Sequence, residues 1–221
     1  MDIYKSTLYN GPNIGIYAKV NDDFIFIPNG FTKEKSKKLS EYLQTDVIVT
    51  SVANTSLIGI LTVINNHGIL LPNTASEDEL AQLKSKTDLN VEVLDVKHNA
   101  LGNMMSVNDT GGIVSPSLPK EALNRISDVL DIELIQKKIA GFHQVGAVMA
   151  TSPTGGIVHP ETDEEDVKII KNILGVNVEP ATINGGLPFL SSGILANSKS
   201  MVVGSLTNGP EIMMLTRAFI N

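Results

Sequence analysis

The sequence predicts an α/β fold in which five copies of one module close into a ring. Three observations lead to it: a glycine recurs at a nearly constant interval, a hairpin and a helical segment follow each glycine, and one spare strand precedes the first copy. The chain has 221 residues and is 42% hydrophobic, mostly aliphatic because aromatic residues make up only 5%. We therefore expect one domain over residues 1–221 with an aliphatic core.

The recurring glycine sets the period of the repeat. Its copies lie about 44 residues apart, a spacing typical of repeat architectures, and they are Gly15, Gly59, Gly102, Gly146 and Gly193. We expect each of these glycines to start the β-hairpin of its module. An ordinary open α/β protein with accidental spacing is the alternative.

The second copy, Ser56 to Asn73, shows the hairpin most clearly. Two short apolar runs flank a polar tip that ends in Asn66-His67-Gly68, and Pro72 stops the second run. Such a pattern is typical of a β-hairpin. In the first run Ile58, Ile60 and Ile64 occupy one alternating set of positions and Leu61 and Val63 the other, which predicts a strand covered on both faces. The tips of the other copies fall in register at 21–23, 108–112, 152–156 and 197–199.

A helix and a returning strand are predicted after each hairpin. Thr74 with Glu77, and Thr162 with Glu165, have the spacing of a capping box. Pro210, after Asn208-Gly209, belongs in the first turn of the last helix. The returning strands are predicted at Val47–Val52, Val91–Val96, Ile132–Ile135 and Val176–Val178.

The N-terminal segment supplies the strand that the fifth module lacks. Ile3 to Tyr9 precedes Gly15 as Val47 to Val52 precedes Gly59, whereas no strand follows the fifth helix. We expect the N-terminal strand to complete the last module. The result would be a closed, five-fold pseudosymmetric ring without an open sheet edge.

Composition and charge exclude several classes of function. The sequence has no cysteine, which rules out disulfides, thiolate metal sites and a cysteine nucleophile. A formal net charge of −7 argues against a broad grip on nucleic acid and favours a basic protein partner. Because neither a signal peptide nor a long apolar span is evident, we expect a cytoplasmic protein without membrane contact.

No arrangement of residues predicts catalysis, a cofactor or a metal. The four histidines, His67, His98, His143 and His159, do not pair at helical spacing. The acidic run Glu161 to Asp166 could hold a cation, but it is better explained as the cap of the fourth helix. The basic cluster Lys33 to Lys38 leaves two interpretations open, an RNA-facing patch and a solvated helix face.

Four segments carry a resemblance to a known family. They are Ala100-Leu101-Gly102-Asn103, Asn65–Pro72, Gly155–Pro160 and Asn208–Glu211. The modules resemble those of the α/β-propeller called the pentein fold. Their amino-acid sequences are similar to those of the translation initiation factor 6 family, particularly its archaeal branch. The resemblance implies a non-enzymatic factor that binds the large ribosomal subunit and prevents its association with the small one. It also implies docking chiefly on a ribosomal protein of the subunit-joining face.

The same resemblance leaves adjacent rRNA as a further contact and large-subunit biogenesis as a further role. We expect a monomer. Two alternatives stay open. One is a guanidino-modifying enzyme of pentein type, which the absence of cysteine disfavours. The other is a scaffold for an unknown partner.

The candidate binding surface follows from the ring. The loops that precede the module glycines occupy equivalent places, so we expect them to gather at one end of the central channel. Together with the match at A-L-G-N, this predicts a ribosome-binding surface bordered by Asn103, Gly102, Ile16, Ile60, Ala147, Ile194 and Phe189.

Overall fold

A computed structural model describes residues 1–220, so Asn221, the last residue of the predicted domain, lies outside the described part. Within it, fifteen strands form five sheets of three strands each. The strands are β1 Asp2–Ser6, β2 Lys19–Val20, β3 Phe24–Pro28, β4 Asp46–Thr50, β5 Val63–Ile64, β6 Gly68–Pro72, β7 Asn90–Leu94, β8 Met105–Val107, β9 Gly111–Val114, β10 Glu133–Gln136, β11 Met149–Ser152, β12 Gly155–Val158, β13 Val178–Pro180, β14 Ile194–Ala196 and β15 Ser200–Gly204. The helices are α1 Lys33–Leu43, α2 Ile58–Leu61, α3 Glu77–Lys86, α4 Leu101–Met104, α5 Glu121–Leu130, α6 Glu164–Leu174 and α7 Gly209–Phe219.

All five sheets have the same construction. An antiparallel hairpin contributes two strands, and a third strand pairs in parallel with the second strand of that hairpin. The central strand is therefore the second strand of each hairpin, and all residues of β6, β9, β12 and β15 are buried. The prediction of a strand covered on both faces was made from residues 58–64 and is wrong there, because Ile58–Leu61 form α2 and Ile64 of β5 keeps part of its surface accessible. The strand covered on both faces is the second strand of the hairpin, β6.

The N-terminal strand belongs to the fifth sheet, as the repeat predicts. β1 pairs in parallel with β15, with Ile3 opposite Met201 and Ser6 opposite Gly204. The strand ends at Ser6, short of the predicted Tyr9. Beyond it, Leu8 forms an antiparallel bridge with Gly11 and so begins the loop that leads into the first module.

Four helices, α1, α3, α6 and α7, begin at a residue whose side chain accepts a backbone N–H of the first turn. Asn208 caps α7 with Pro210 in its first turn, which confirms that prediction. The predicted capping boxes at Thr74 and Thr162 are wrong, because the caps are Ser76 and Asp163. Ser76 has the same three-residue spacing to a glutamate, Glu79, and it is the last extended residue before the helix, which is the conformation that a cap requires.

Five clusters of buried apolar side chains join neighbouring modules. Adjacent residues of a strand point to opposite faces, and each central strand therefore supplies two clusters. Ile69 packs with the first module and Leu70 with the third. In the same way Val203 packs with the fourth module. Val202 shares a cluster with Ile25, so the fifth module also packs against the first.

Candidate functional site

The first four module glycines lie in turns before the hairpins, whereas Gly193 directly precedes β14. Gly59 is inside α2 and Gly102 inside α4, while Gly15 occupies a 3-10 turn. The first hairpin strand begins three or four residues later, for example at Val63 after Gly59. The prediction that the glycines start the hairpins is therefore wrong by three or four residues in the first four copies, although their period is correct.

These glycines are required because backbones of successive modules touch. A Cβ atom on Gly59 would lie 1.7 Å from the carbonyl oxygen of Gly15. On Gly102 it would lie 2.2 Å from the oxygen of Gly59, and on Gly146 it would lie 2.2 Å from the oxygen of Gly102. No side chain fits between backbones at such distances.

The fifth position of this series is Ser191, and the assignment of Gly193 is wrong. A Cβ on Gly15 would lie 1.9 Å from the carbonyl oxygen of Ser191, so Ser191 is the residue that abuts the first module. Gly193 instead faces the side chains of Ile183 and Asn184. A buried residue precedes each position, Leu190 in this copy and Ile14 in the first. We call Gly15, Gly59, Gly102, Gly146 and Ser191 the inner positions.

The structure separates the predicted surface residues into two groups. Ile16, Ile60, Asn103 and Ala147, each one residue after an inner position, keep part of their surface accessible, and Phe189 is 46% exposed. Gly102 and Ile194 are buried. Ile194 was assigned from the wrong glycine. The residue that follows the fifth inner position is Ser192, which is partly accessible.

Four of the loops that precede the inner positions share one geometry. Each is closed by an antiparallel bridge, at Leu8–Gly11, Val52–Thr55, Ile139–Phe142 and Ile183–Leu187. Two successive residues with positive φ, for example Ala53 and Asn54, form the tip of the first three loops, which is the backbone of a type I′ turn. The fourth tip has three such residues, Asn184, Gly185 and Gly186. We call these four segments the entry loops.

Exposed apolar side chains cluster on and beside the entry loops. Besides Phe189, they include Tyr9, Leu57 and Leu187, at 48%, 36% and 40% exposure. Phe189 packs edge-to-face against Phe142, with ring centroids 6.1 Å apart. Sequence reasoning found only Phe189. The other three lie in or next to the same loops, so their position in the repeat was the available signal.

Two buried glutamates hold the entry loops at Val52–Thr55 and Ile183–Leu187 to helix starts. The carboxylate of Glu79 accepts hydrogen bonds from the backbone N–H groups of Ala53 and Asn54, at 2.9 and 3.0 Å. It also accepts from the Ser51 hydroxyl at 2.6 Å. Glu211 accepts from the N–H groups of Gly185 and Gly186, at 3.0 and 2.8 Å. Neither glutamate was singled out from the sequence.

These hydrogen bonds set the protonation of both groups. Burial raises the pKa of Glu79, but the donors on Ser51, Ser76, Asn54 and Ala53 outweigh it, so its pKa lies below the ordinary value. The pKa of Glu211 is lowered in the same way against the effect of burial. A depressed pKa stabilises the fold above the pKa of the unfolded chain, and this stabilisation is lost as pH falls through the folded-state pKa.

We expect Glu79→Gln to lower the free energy of unfolding at pH 7 by about 2 kcal/mol, because an amide leaves some backbone N–H groups of the loop unpaired. The difference from the parent protein should shrink as pH falls through the lowered folded-state pKa of Glu79, because the parent then loses the charge as well. Urea unfolding at pH 7 and at pH 3.5 measures both. Glu77→Gln, on the exposed first turn of the same helix, is the matched control. Equal effects of the two substitutions would contradict the assigned role.

The hairpin tips form a polar layer at the ends of β2, β5, β8, β11 and β14 that point away from the inner positions. The side-chain amide of Asn21 donates to the carbonyl of Asn65 at 3.2 Å, and that of Asn65 donates to the carbonyl of Asn108 at 3.2 Å. Asn197 donates to the carbonyl of Asn21 at 3.2 Å, which links the fifth tip to the first. The tips of the first, second, third and fifth modules are therefore tied to one another.

The remaining polar candidates have local roles. Lys37 pairs with Glu41 at 3.6 Å on the exposed side of α1, and Lys38 lies over the Tyr42 ring. Asp163 caps α6 as the acidic run favoured, and Asp166 forms an ion pair with Lys137 at 2.7 Å. Over residues 1–220, no group of three or more histidine or acidic side chains is arranged to hold a metal ion. In the same range no helix is both long and apolar enough to cross a bilayer.

The protein is built from five α/β modules whose sheets share one construction and whose backbones touch at the inner positions. The described range contains no metal-binding cluster. The chain belongs to the eIF-6 family, which it matches over residues 3–218. Translation initiation factor 6 of Cenarchaeum symbiosum is 60% identical to it over 219 residues, 99% of each chain. The protein of the same name from Nitrosopumilus maritimus is 57% identical over 221 residues, which cover both chains completely. The one from Staphylothermus marinus is 36% identical over 220 residues, which cover 98% of this chain and 97% of the relative. Membership of this family supports a role in translation initiation.

Proposed function

We propose that the protein is a translation initiation factor that binds the large ribosomal subunit and prevents the small subunit from joining it. The observation that carries the proposal is the end-to-end similarity to proteins named translation initiation factor 6, at 60% and 57% identity. A part in large-subunit biogenesis is compatible with the same complex. The mechanism is steric and uses neither catalysis nor a cofactor.

We infer that the five modules form a closed α/β-propeller of pentein type. Three kinds of contact between the fifth and first modules support this inference: the shared cluster of Ile25 and Val202, the approach of Ser191 to Gly15, and the hydrogen bond from Asn197 to Asn21. A closed body of 221 residues has a radius of gyration of roughly 17 Å. A rigid body of that size on the joining face would hold the two subunits far beyond hydrogen-bonding range.

The entry-loop end is the proposed docking surface. Interfaces are enriched in aromatic and large aliphatic side chains and depleted of charge at their centre, and this end exposes Tyr9, Leu57, Leu187 and Phe189. Asn103 adds a partly accessible side-chain amide that makes no hydrogen bond within residues 1–220. Glu79 and Glu211 fix two of the loops, which lowers the entropy lost on binding. The net charge of −7 favours a basic ribosomal protein as the partner, with adjacent rRNA as a further contact.

We expect Asn103→Arg to weaken binding to purified large subunits by about tenfold or more, because it places a bulky charge within the proposed surface. Its melting temperature should match that of the parent, since the side chain is not part of the core. Co-sedimentation with large subunits measures the affinity. His67→Arg, exposed at a hairpin tip at the other end, is the matched control. If His67→Arg abolished binding while Asn103→Arg bound normally, the surface would be at the wrong end.

Subunit association tests the function itself. Purified factor is titrated into large and small subunits, and the joined particle is followed by sedimentation. A steric mechanism predicts that subunit joining is fully blocked at about one factor per large subunit. It also predicts that the factor needs no bound nucleotide. Raising the salt concentration should weaken binding because it screens attraction between the acidic factor and a basic partner. Splitting of many ribosomes by substoichiometric factor, or a requirement for ATP or GTP on this chain, would overturn the proposal.

A further inference from the structure

Two entry loops bind a carboxylate of their own chain through the same set of three donors. Two of the donors are backbone N–H groups at the loop tip, which bond to Glu79 in one loop and to Glu211 in the other. The third is the hydroxyl of the residue before the loop bridge. Ser51 donates to Glu79 at 2.6 Å, and Thr182 donates to Glu211 at 2.9 Å. The molecule therefore shows twice that this donor set holds a carboxylate.

The entry loop at Leu8–Gly11 presents the same donors without an acceptor. Thr7 supplies the hydroxyl before the bridge, and Tyr9 and Asn10 form the tip. The φ angles of this tip are 48° and 59°, against 53° and 56° in the loop at Val52–Thr55, so its N–H groups have the same arrangement. Within residues 1–220, neither these two N–H groups nor the Thr7 hydroxyl forms a hydrogen bond.

A lysine stands where the glutamate is expected. Each of the three helices next to these loops has a capping side chain that accepts the N–H of the residue three positions later. The pairs are Thr32 with Lys35 in α1, Ser76 with Glu79 in α3, and Asn208 with Glu211 in α7. The first module therefore lacks an internal carboxylate for its entry loop and carries a positive charge at that position.

The loop and the lysine share one cleft. The rings of Tyr9 and Phe31 lie with their centroids 5.2 Å apart, and Phe31 immediately precedes the cap of α1. This contact holds the loop against the start of the helix. Thr7 and Lys35 both line a cleft of about 320 Å³ between them. A space of this size is typical of a small ligand site.

The cleft is positively charged in an otherwise acidic protein. Lys5 and Lys38 also line its wall, which contains no acidic residue. Among the ion pairs within residues 1–220, none involves Lys5, Lys35 or Lys38. The whole chain has a net charge of −7. Three lysines without a counter-charge therefore surround a set of donors that binds an anion elsewhere in the molecule.

The loop at Ile139–Phe142 does not have this combination. The residue before its bridge is Lys138, which has no hydroxyl group. The acidic residue three positions after the cap of α6 is Asp166, and it pairs with Lys137 at 2.7 Å. Among the four entry loops of the described chain, only the one at Leu8–Gly11 has the three donors and no carboxylate.

We propose that this cleft binds an acidic segment of a partner protein, with one aspartate or glutamate carboxylate on the N–H groups of Tyr9 and Asn10 and the hydroxyl of Thr7. The same donors hold a glutamate in two other modules, which favours a carboxylate over a phosphate. Lys5 and Lys38 pair with further acidic residues of the segment. The net charge of −7 disfavours an extended nucleic acid at this cleft. The proposal does not rest on the proposed function, because the free protein carries every group involved.

The test measures binding of a fluorescein-labelled hexaglutamate peptide to the full chain by fluorescence anisotropy. Lys35→Glu supplies the missing carboxylate from within the chain and is expected to weaken peptide binding about tenfold or more. Lys33→Glu makes the same charge change in the first turn of α1, outside the cleft wall. This matched control should weaken binding by less than about threefold, because its charge is distant and screened. Equal losses in the two variants, or no binding to the parent, would overturn the proposal.

Thermal unfolding gives a readout that needs no peptide. Lys35→Glu should raise the melting temperature by about 2–4 °C, because the new carboxylate bonds to the entry loop as Glu79 does in its own loop. Lys33→Glu should give only the smaller gain from an acidic residue at a helix start, which both variants share. A rise in Lys35→Glu no larger than that in Lys33→Glu would contradict the assigned donor set.

Measurements on the parent protein keep the test decisive if Lys35→Glu does not fold. In heteronuclear NMR spectra the amide signals of Tyr9 and Asn10 are expected to shift on saturation with hexaglutamate, because both N–H groups gain an acceptor. Unchanged signals at saturation would overturn the proposal. Hexauridylate is the RNA probe of the same length. If it displaced the labelled peptide at a lower concentration than unlabelled hexaglutamate, the cleft would be a phosphate site and the acidic protein partner would be wrong.

Discussion

Removal of residues 1–10 is expected to leave a protein that aggregates and loses about 5 kcal/mol or more of its stability. The deletion takes β1 from the fifth sheet and exposes β15, an apolar strand that is buried along its whole length. It also removes Leu8, which is fully buried and alone contributes about 2 kcal/mol. An unpaired apolar edge of this kind is a template for intermolecular pairing.

Size-exclusion chromatography and thermal unfolding measure the two effects of this deletion. The matched control replaces the exposed side chains of Asp2 and Lys5 by serine and keeps the backbone of β1. That control should elute as a monomer and melt within about two degrees of the parent, because surface changes have small effects. A truncated protein with the same behaviour would show that the N-terminal strand is dispensable.

Gly59→Ala is expected to destabilise the protein by about 4 kcal/mol or to prevent folding. The added methyl group would lie 1.7 Å from the carbonyl oxygen of Gly15 and 2.9 Å from that of Ala18. Both are backbone atoms of the neighbouring module, so relief requires the modules to move apart, which loosens the core that they share.

The control for this prediction is Gly209→Ala in the first turn of α7, where an added Cβ meets nothing within 4 Å. There the substitution should be neutral or slightly stabilising, since alanine restricts the unfolded chain more than glycine does. Equilibrium unfolding in urea gives both values. Comparable stabilities for the two variants would contradict the contact between the modules.

The sequence predicts well whatever depends on local pattern. The second apolar run, which ends at Pro72, located the central strand of the second module, and the spare segment Ile3 to Tyr9 led to the pairing of β1 with β15. The capping box of α3 was predicted at Thr74 instead of Ser76 because each of these residues has an acidic residue three positions later. Only the backbone conformation, extended at Ser76, distinguishes them.

The site residues that were misassigned or missed depend on contacts between modules, which the sequence alone does not reveal. Gly193 looks like its predecessors in sequence, but the inner position needs a backbone that abuts the first module, and Ser191 occupies it. Glu79 looks like an acidic residue of a helix start. Its bonds to a loop 25 residues earlier become visible only when both are placed in space. For the same reason Ile194 was expected on the surface and is buried, while Tyr9 and Leu187 were missed.

The pairing of β1 with β15 also bears on how the protein is made. The two strands join residues 2–6 to residues 200–204, so the first segment to be synthesised waits for one of the last. At ordinary elongation rates of about 5–20 residues per second, that interval is roughly 10–40 s. During this time the first module lacks the fifth module, and Leu8 and Ile25 cannot yet pack against Val202. The nascent chain must therefore remain soluble with its first strand unpaired until translation is nearly complete.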